Sequence, residues 1–175
     1  MGRETPRSGV PSPGIVGIAR RLSHHGAGVV GFLPVGQPDS GVSSLLALIA
    51  SALTQFVADD VGVVPAWTSW NGRAGGAEIA DPINARLFSV VPPPCRSAPL
   101  ATAALEEAVM EKAGRFSWML VDLSAYAKPG ELPGAAEHVD GLVMVVPSGR
   151  VTIHRLKRLA ASIEPSKNLG AMLIE

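Results

Sequence analysis

The chain has 175 residues, the length of one ordinary domain. Its 15 basic and 15 acidic residues cancel, which argues against nucleic-acid binding as the main function. Hydrophobic residues make up 47% of the chain and charged residues 17%, a composition that excludes a largely disordered protein. The single cysteine excludes an internal disulfide, and the N-terminus lacks the apolar stretch of a secretory signal. We therefore expect a cytoplasmic protein with no nucleic-acid partner.

The sequence predicts an N-terminal extension, residues 1–27, followed by one α/β domain, residues 28–175. The extension begins with a proline-rich tail, Met1–Pro13, which has no periodicity. Apolar residues at helical spacing then predict a short amphipathic helix over Ile15–His25.

In the domain, apolar runs typical of buried strands alternate with helical patterns. Pro65–Pro82 has no clear pattern and is predicted to be a loop. The apolar side of the third helix is expected to consist of Leu100, Ala104, Ala108 and Met110. The uncharged second helix is expected to be covered on every side. The alternation predicts a doubly wound, mainly parallel α/β sheet with helices on both faces. Strands are predicted over 29–35, 61–64, 86–91, 116–121, 142–146 and 169–174, and helices over 15–25, 43–57, 98–113 and 152–163.

A glycine-rich segment between the first strand and the second helix reads G-Q-P-D-S-G-V-S-S. Its spacing is that of the phosphate-binding loop G-x-x-x-x-G-K-[ST], in the required strand–loop–helix context. Gly36 and Gly41 would let backbone N–H groups turn inward at the start of the helix. Ser43, followed by Ser44, stands where a hydroxyl would bind magnesium, but the lysine position is Val42.

Asp122 follows the apolar strand over Phe116–Val121, where nucleotide-hydrolysing proteins of this kind place a carboxylate that orients magnesium. A solvated or helix-capping aspartate is the alternative interpretation, as is a glycine-rich turn that never bound phosphate. The loop spacing, the Ser43 hydroxyl and Asp122 together favour descent from a phosphate-binding NTPase.

The glycine-rich loop, the strand that ends in Asp122 and the C-terminal segments follow one another along the chain in the order found in bacterial tyrosine kinases. The chain therefore resembles the cytoplasmic domain of the tyrosine kinases of capsule and exopolysaccharide assembly. More broadly, it resembles the septum-site and plasmid-partition ATPases of the MinD/ParA-like superfamily. The kinases often carry P-G-E-G-K-S-T in the loop, where this chain has P-D-S-G-V-S-S in register. The run F-S-W-M-L-V-D, ending at Asp122, is similar to the family's magnesium-orienting strand. The segment D-G-L-V-M-V-V from Asp140, then G-R-V-T and L-G-A-M-L-I, resembles the family's C-terminal part.

The chain also departs from this family pattern. Val42 replaces the loop lysine, and Pro65 and Trp67 stand where the family's second acidic motif, D-x-D, is expected. The base-holding asparagine is Glu175, and the tyrosine-rich tail that those kinases phosphorylate is absent, Tyr126 being the only tyrosine. Losing the lysine removes a charge-assisted contact of roughly 1.5–3 kcal/mol and positioned electrostatics that are typically worth ~10²-fold in rate.

We therefore expect a catalytically inactive kinase-like domain that needs no cofactor and acts as a binding or scaffold component in exopolysaccharide or capsule biosynthesis. The alternative is a nucleotide-binding protein or slow atypical ATPase or autokinase that uses ATP or ADP with Mg²⁺, with Arg73 or Arg150 replacing the lysine. Asp39 argues against the alternative because it places negative charge in the loop. The expected vestigial nucleotide site comprises Gly36, Gly41, Val42, Ser43, Ser44 and Asp122, with Ser43 and Asp122 as the magnesium ligands.

The last predicted helix carries a basic face formed by Arg155, Lys157 and Arg158. It is interpreted either as a solvated face or as a docking face for an acidic partner or for the inner membrane surface. The family resemblance implies that the partner is a membrane polysaccharide-assembly protein or a second copy of the chain. Trp67 and Trp70 either anchor such a partner or cover their own loop.

Overall fold

The computed structural model describes residues 12–26, 28–36, 41–70, 77–81, 84–112, 114–126 and 132–174. Within these ranges, no helix has the length and hydrophobicity needed to span a bilayer. The strands are β1 Val29–Pro34, β2 Val61–Val64, β3 Ala77–Ala80, β4 Leu87–Val91, β5 Trp118–Asp122, β6 Gly141–Pro147 and β7 Asn168–Ile174. The helices are α1 Pro13–His25, α2 Val42–Leu53, α3 Ala98–Lys112, α4 Leu132–Glu137 and α5 Ile153–Ser162.

The seven strands form one sheet in the order β3-β4-β2-β5-β1-β6-β7. All neighbouring pairs are parallel except β3 with β4. The predicted doubly wound, mainly parallel fold is therefore confirmed. Strand β5 lies between β2 and β1 and is parallel to both. The carboxyl ends of these three strands are therefore neighbours at one edge of the sheet, which we call the carboxyl edge.

The prediction of a loop over Pro65–Pro82 was partly wrong, because this region contains β3 and a short 3-10 turn over Trp67–Ser69. The strand has only four residues and pairs antiparallel to β4 at the end of the sheet, with Ala77 opposite Val91. So short a strand carries too little pattern to be recognised in the sequence, and its pairing with β4 defines it. The six-residue helix α4 was missed for the same reason.

Helices cover both faces of the sheet. Side chains of β1 alternate between the faces: Phe32 packs in the layer beneath α1 and α2, and Leu33 packs in the layer beneath α3, α4 and α5. The apolar β1 predicted from the sequence is thus buried from both sides, as is typical of a central parallel strand.

Helix α2 ends at Leu53 rather than at Val57, and it is not covered on every side, since Leu48 is 42% exposed. The chain beyond the helix is held by Arg86. Its guanidinium donates to the carbonyl oxygens of Thr54 at 2.9 Å and Val57 at 2.5 Å. A cation at this place also stabilises the helix C-terminus, where no residue of α2 itself is basic.

The predicted core face of α3 was right for Ala104 and Ala108, which are buried, and wrong for Leu100 and Met110. Leu100 is 59% exposed and Met110 is 73% exposed. The buried row follows the i, i+3, i+4, i+7 spacing of a helix, and Leu100 and Met110 lie outside it. Alanines dominate this row and let the helix approach the sheet closely; the buried residues are Ala101, Ala104, Leu105 and Ala108.

Gly31, in the middle of β1, leaves room for the residue that follows β5. A Cβ atom at Gly31 would lie 2.5 Å from Leu123 Cδ1 and 2.9 Å from Leu142 Cδ2. Leu123 is fully buried, and its N–H donates to the Phe32 carbonyl at 3.0 Å. The missing side chain therefore helps to position the end of β5, including Asp122.

We expect Gly31→Ala to lower the free energy of unfolding by about 1–3 kcal/mol, because the added methyl group overpacks a closed core. Gly17→Ala is the matched control. Gly17 lies within α1 with no atom within 4 Å of an added Cβ, so this change should stabilise the chain by roughly 0.5–1 kcal/mol. Urea unfolding measures both values. Equal effects of the two substitutions would contradict the packing argument.

Candidate functional site

The candidate site lies where β1 and β5 end and α2 begins. Gly36 follows β1 with φ = 125°, and Gly41 precedes α2 with φ = 68°. Both values fall in the left-handed region that favours glycine, so the two loop glycines have the conformations that such a turn demands. Residues 37–40, which include Asp39, lie outside the described residues, as does Arg73.

The structure brings Ser43 and Asp122 together, as the motif spacing predicts. The Ser43 hydroxyl donates to Asp122 Oδ2 at 2.6 Å. Asp122 is only 2% exposed, so it is not the solvated aspartate considered as an alternative. Its other oxygen, Oδ1, accepts hydrogen bonds from the Ser124 N–H at 2.9 Å and from the Ser124 hydroxyl. The carboxylate therefore has donors on both sides, as a buried charge requires.

Ser124 was missed in the sequence. The signal was present, because an aspartate that accepts from the N–H two residues later forms a common local turn. Here that turn begins a short 3-10 helix, Ser124–Tyr126, directly after β5. Asp122 thus has a structural role in capping this turn as well as a place in the candidate site.

The Ser43–Asp122 pair fits a magnesium ion only in part. Mg²⁺ requires six oxygen ligands in octahedral geometry, and phosphate oxygens and water usually supply most of them. The hydroxyl and the carboxylate offer two. No group of three or more histidine, cysteine or acidic side chains suited to a metal occurs among the described residues. The pair would therefore hold Mg²⁺ only together with a bound polyphosphate.

Val42, at the lysine position, is part of the hydrophobic core. It is 2% exposed and belongs to the layer that contains Leu46 and Ile49 of the same helix. Its neighbours Ser43 and Ser44 are exposed. In the first turn of α2, the Ser43 hydroxyl thus binds Asp122 and Ser44 is exposed, whereas the side chain at the lysine position packs inward.

The end of β2, where the second acidic motif is expected, is apolar. Val63 and Pro65 form part of the wall of a cavity of about 280 Å³ that reaches Ser43 and Asp122. On the far side, Leu87 and other residues of β3 and β4 complete the wall, together with Asp81, which follows β3. The end of β2 itself carries no carboxylate, and Asp81 is the second acidic residue that lines the cavity, beside Asp122.

The two tryptophans beyond β2 differ in their surroundings. Trp70 is 1% exposed and donates its ring N–H to the Pro65 carbonyl at 2.9 Å, so it covers its own loop and does not anchor a partner. Trp67 is half-buried and donates to the Ala125 carbonyl at 3.4 Å. The nearby Tyr126, the only tyrosine, is 1% exposed.

The remaining polar candidates lie away from this edge. His24 and His25 are exposed at the end of α1, and burial raises the pKa of the partly buried Cys95 thiol, which keeps it protonated near neutral pH. Arg150 is exposed in the turn before α5. Arg155, Lys157 and Arg158 are all exposed on α5, whose N-terminus is capped by Thr152.

No protein-family model matches the chain, and no curated protein matches it significantly. Solved structures do match at low identity. The VpsO kinase domain aligns with a TM-score of 0.73 and 12% identity over 91% of each chain. The BceF tyrosine kinase domain aligns with a TM-score of 0.55 and 14% identity over 89% of this chain and 72% of that one. A ParA family ATPase from Chlorobium tepidum aligns with a TM-score of 0.54 and 17% identity over 83% and 72%.

The sheet order and these likenesses define the class of the protein, a P-loop NTPase-like α/β fold. Within that class, the chain has the fold of bacterial tyrosine kinase domains and of ParA-type ATPases. The resemblance inferred from the sequence motifs is thereby confirmed at the level of the fold.

We expect Ser43→Ala to lower the free energy of unfolding by about 1–2 kcal/mol, because it removes a hydrogen bond to a buried carboxylate. In a double-mutant cycle with Asp122→Asn, the coupling energy should be about 1 kcal/mol. Ser44→Ala is the matched control, an exposed serine one residue away, and its cycle should be additive within ~0.5 kcal/mol. Urea unfolding supplies all values. Additive behaviour of the Ser43 cycle would show that the hydrogen bond contributes nothing to stability.

Proposed function

We propose that this chain is a catalytically inactive kinase-like domain that acts as a binding or scaffold component in bacterial exopolysaccharide or capsule biosynthesis. The observation that carries the proposal is the burial of Val42 at the lysine position. A side chain without charge, packed in the core, cannot offset the charge that develops on a transferring phosphoryl group.

Two further observations support inactivity. The end of β2 has apolar residues where a nucleophile-activating carboxylate is expected. The only tyrosine, Tyr126, is buried under the α3 side of the sheet and is out of reach of a kinase site on another copy. Both point away from phosphoryl transfer to tyrosine in this chain.

We expect ATP turnover by the purified chain to equal the background without protein, and no phosphate to be incorporated at Tyr126. The measurement is release of phosphate from ATP with Mg²⁺, accompanied by phosphotyrosine detection. Asp122→Ala identifies contaminating activity, since a contaminant is unaffected by it. Turnover that survives repurification and disappears in Asp122→Ala would overturn the proposal.

The retained Ser43–Asp122 pair and the two positive-φ glycines favour a second candidate, a nucleotide-binding protein or slow atypical ATPase. Titration calorimetry with ATP and ADP, with and without Mg²⁺, separates it from the first. If the first proposal is right, the wild-type chain binds nucleotide weakly. The double substitution Val42→Lys with Asp39→Gly should strengthen binding, because it adds a positive charge at the lysine position and removes a negative charge from the loop. The control is Val42→Met with Asp39→Gly, which has a long side chain without charge. If the lysine variant folds but binds no better than the control, the loop is not a phosphate cradle.

The scaffold role is proposed to use the basic face of α5, Arg155, Lys157 and Arg158, for docking on a membrane polysaccharide-assembly protein or on a second copy. Substituting all three by Glu should slow association and weaken its dependence on salt, with stability changed by no more than about 0.5 kcal/mol per site. The matched control reverses the exposed Arg20, Arg21 and Arg96, which lie on other elements. Association is measured by cross-linking to membrane partners and by sedimentation. Equal partner capture by both triple variants would remove α5 from the interface.

A further inference from the structure

The α5 side of the sheet contains a second cavity, of about 370 Å³, which is separate from the Ser43–Asp122 cavity. It lies between the end of β1, the start of α4 and one face of α5. Its walls are mostly aliphatic and include Leu33, Val35, Leu132 and Leu159. A cavity of this volume with mainly hydrophobic walls is typical of the smaller ligand-binding pockets of proteins.

Two arginines are among the residues that line this cavity. Arg155 and Arg158 are three residues apart on α5, followed by the lining residues Leu159 and Ser162. This spacing, i, i+3, i+4 and i+7, places the four on one face of the helix. Lys157 is not among the residues that line the cavity, because it lies at a different angle around the helix axis.

Among the described residues, the two arginines have no acidic partner and can therefore bind an external anion. In the part of the chain that the structure describes, neither guanidinium pairs with a carboxylate, and no acidic residue lines the cavity. Both side chains belong to exposed residues. A guanidinium can bind a carboxylate or a phosphate through two parallel hydrogen bonds, which gives affinity as well as orientation.

We propose that this cleft binds a small amphiphilic anion, with its carboxylate or phosphate group on Arg155 and Arg158 and its apolar body against the leucine-lined wall. The size follows from the volume. The volume of about 370 Å³ lies near the lower end of the range of small-molecule pockets, which suits a small ligand such as a medium-chain carboxylate. The cleft shares Arg155 and Arg158 with the proposed docking face, but its test uses the isolated chain and needs no protein partner, so the two proposals can fail separately.

Decanoate, with twelve non-hydrogen atoms, is the probe for titration calorimetry on the full chain. We expect a Kd of ~1 mM or tighter. Octanoate should bind about fifteen-fold more weakly, because two buried methylene groups are lost. 1-Decanol has the apolar chain without a charged group, and inorganic phosphate has the charge without an apolar chain. Both should bind at least tenfold more weakly than decanoate. Octyl phosphate distinguishes a phosphate ligand from a carboxylate one, and binding by either supports the proposal.

Neighbouring residues on α5 provide a matched pair of variants. Arg158→Gln should weaken decanoate binding at least tenfold, and adding Arg155→Gln should weaken it further, whereas Lys157→Gln should change it less than about twofold. All three positions are exposed, so thermal unfolding should confirm that the variants remain folded. Three results would each overturn the proposal: no binding of decanoate or octyl phosphate at ~1 mM, equal affinity for decanoate and decanol, or equal effects of Lys157→Gln and Arg158→Gln.

Discussion

A buried carboxylate needs hydrogen-bond donors, and the architecture of the candidate site follows from this requirement at Asp122. The residue ends β5 with 2% of its surface exposed, so water cannot solvate both oxygens. The turn after β5 supplies Ser124 to Oδ1, and the first turn of α2 supplies Ser43 to Oδ2. One side chain thus ties together the end of a central strand, the following turn and the helix after the glycine-rich loop.

The hydrogen bonds of Asp122 show that Ser43 and Asp122 can be present without the catalytic reaction that such residues serve in related proteins. In an active relative, a hydroxyl and a carboxylate at these places would serve a nucleotide-bound magnesium ion. Here they also satisfy each other, so both have a structural role that does not depend on catalysis. Val42 differs from this pair, because its branched apolar side chain has only a packing role, in the core layer that contains Leu46. Persistence of Ser43 and Asp122 is therefore weak support for enzymatic activity.

Much of the fold could be predicted, because a central parallel strand leaves a strong signal. The runs that became β1, β5 and β6 are apolar on both faces, and the loop spacing and Asp122 followed from the strand ends. What failed was decided by tertiary packing. Four residues of β3 are defined by pairing with β4. In α3, Ala104 and Ala108 are buried as predicted, whereas Leu100 and Met110 are exposed. The cleft beside Arg155 and Arg158 could not be predicted from the sequence either, because residues of β1, α4 and α5 form it only when the chain is folded.

The distribution of charge over the molecule indicates where binding is still possible. The edge that would hold a polyphosphate offers a buried carboxylate, an apolar wall from Val63 and Pro65, and no cation among its described residues. The α5 side offers Arg155 and Arg158 without carboxylate partners in the described part of the chain. An anion approaching this domain is repelled by Asp122 at the first place and attracted at the second. With Val42 at the lysine position, the described part of the domain still has anion-binding groups, because Arg155 and Arg158 lie on the opposite face of the sheet from α2, where binding requires no phosphoryl chemistry.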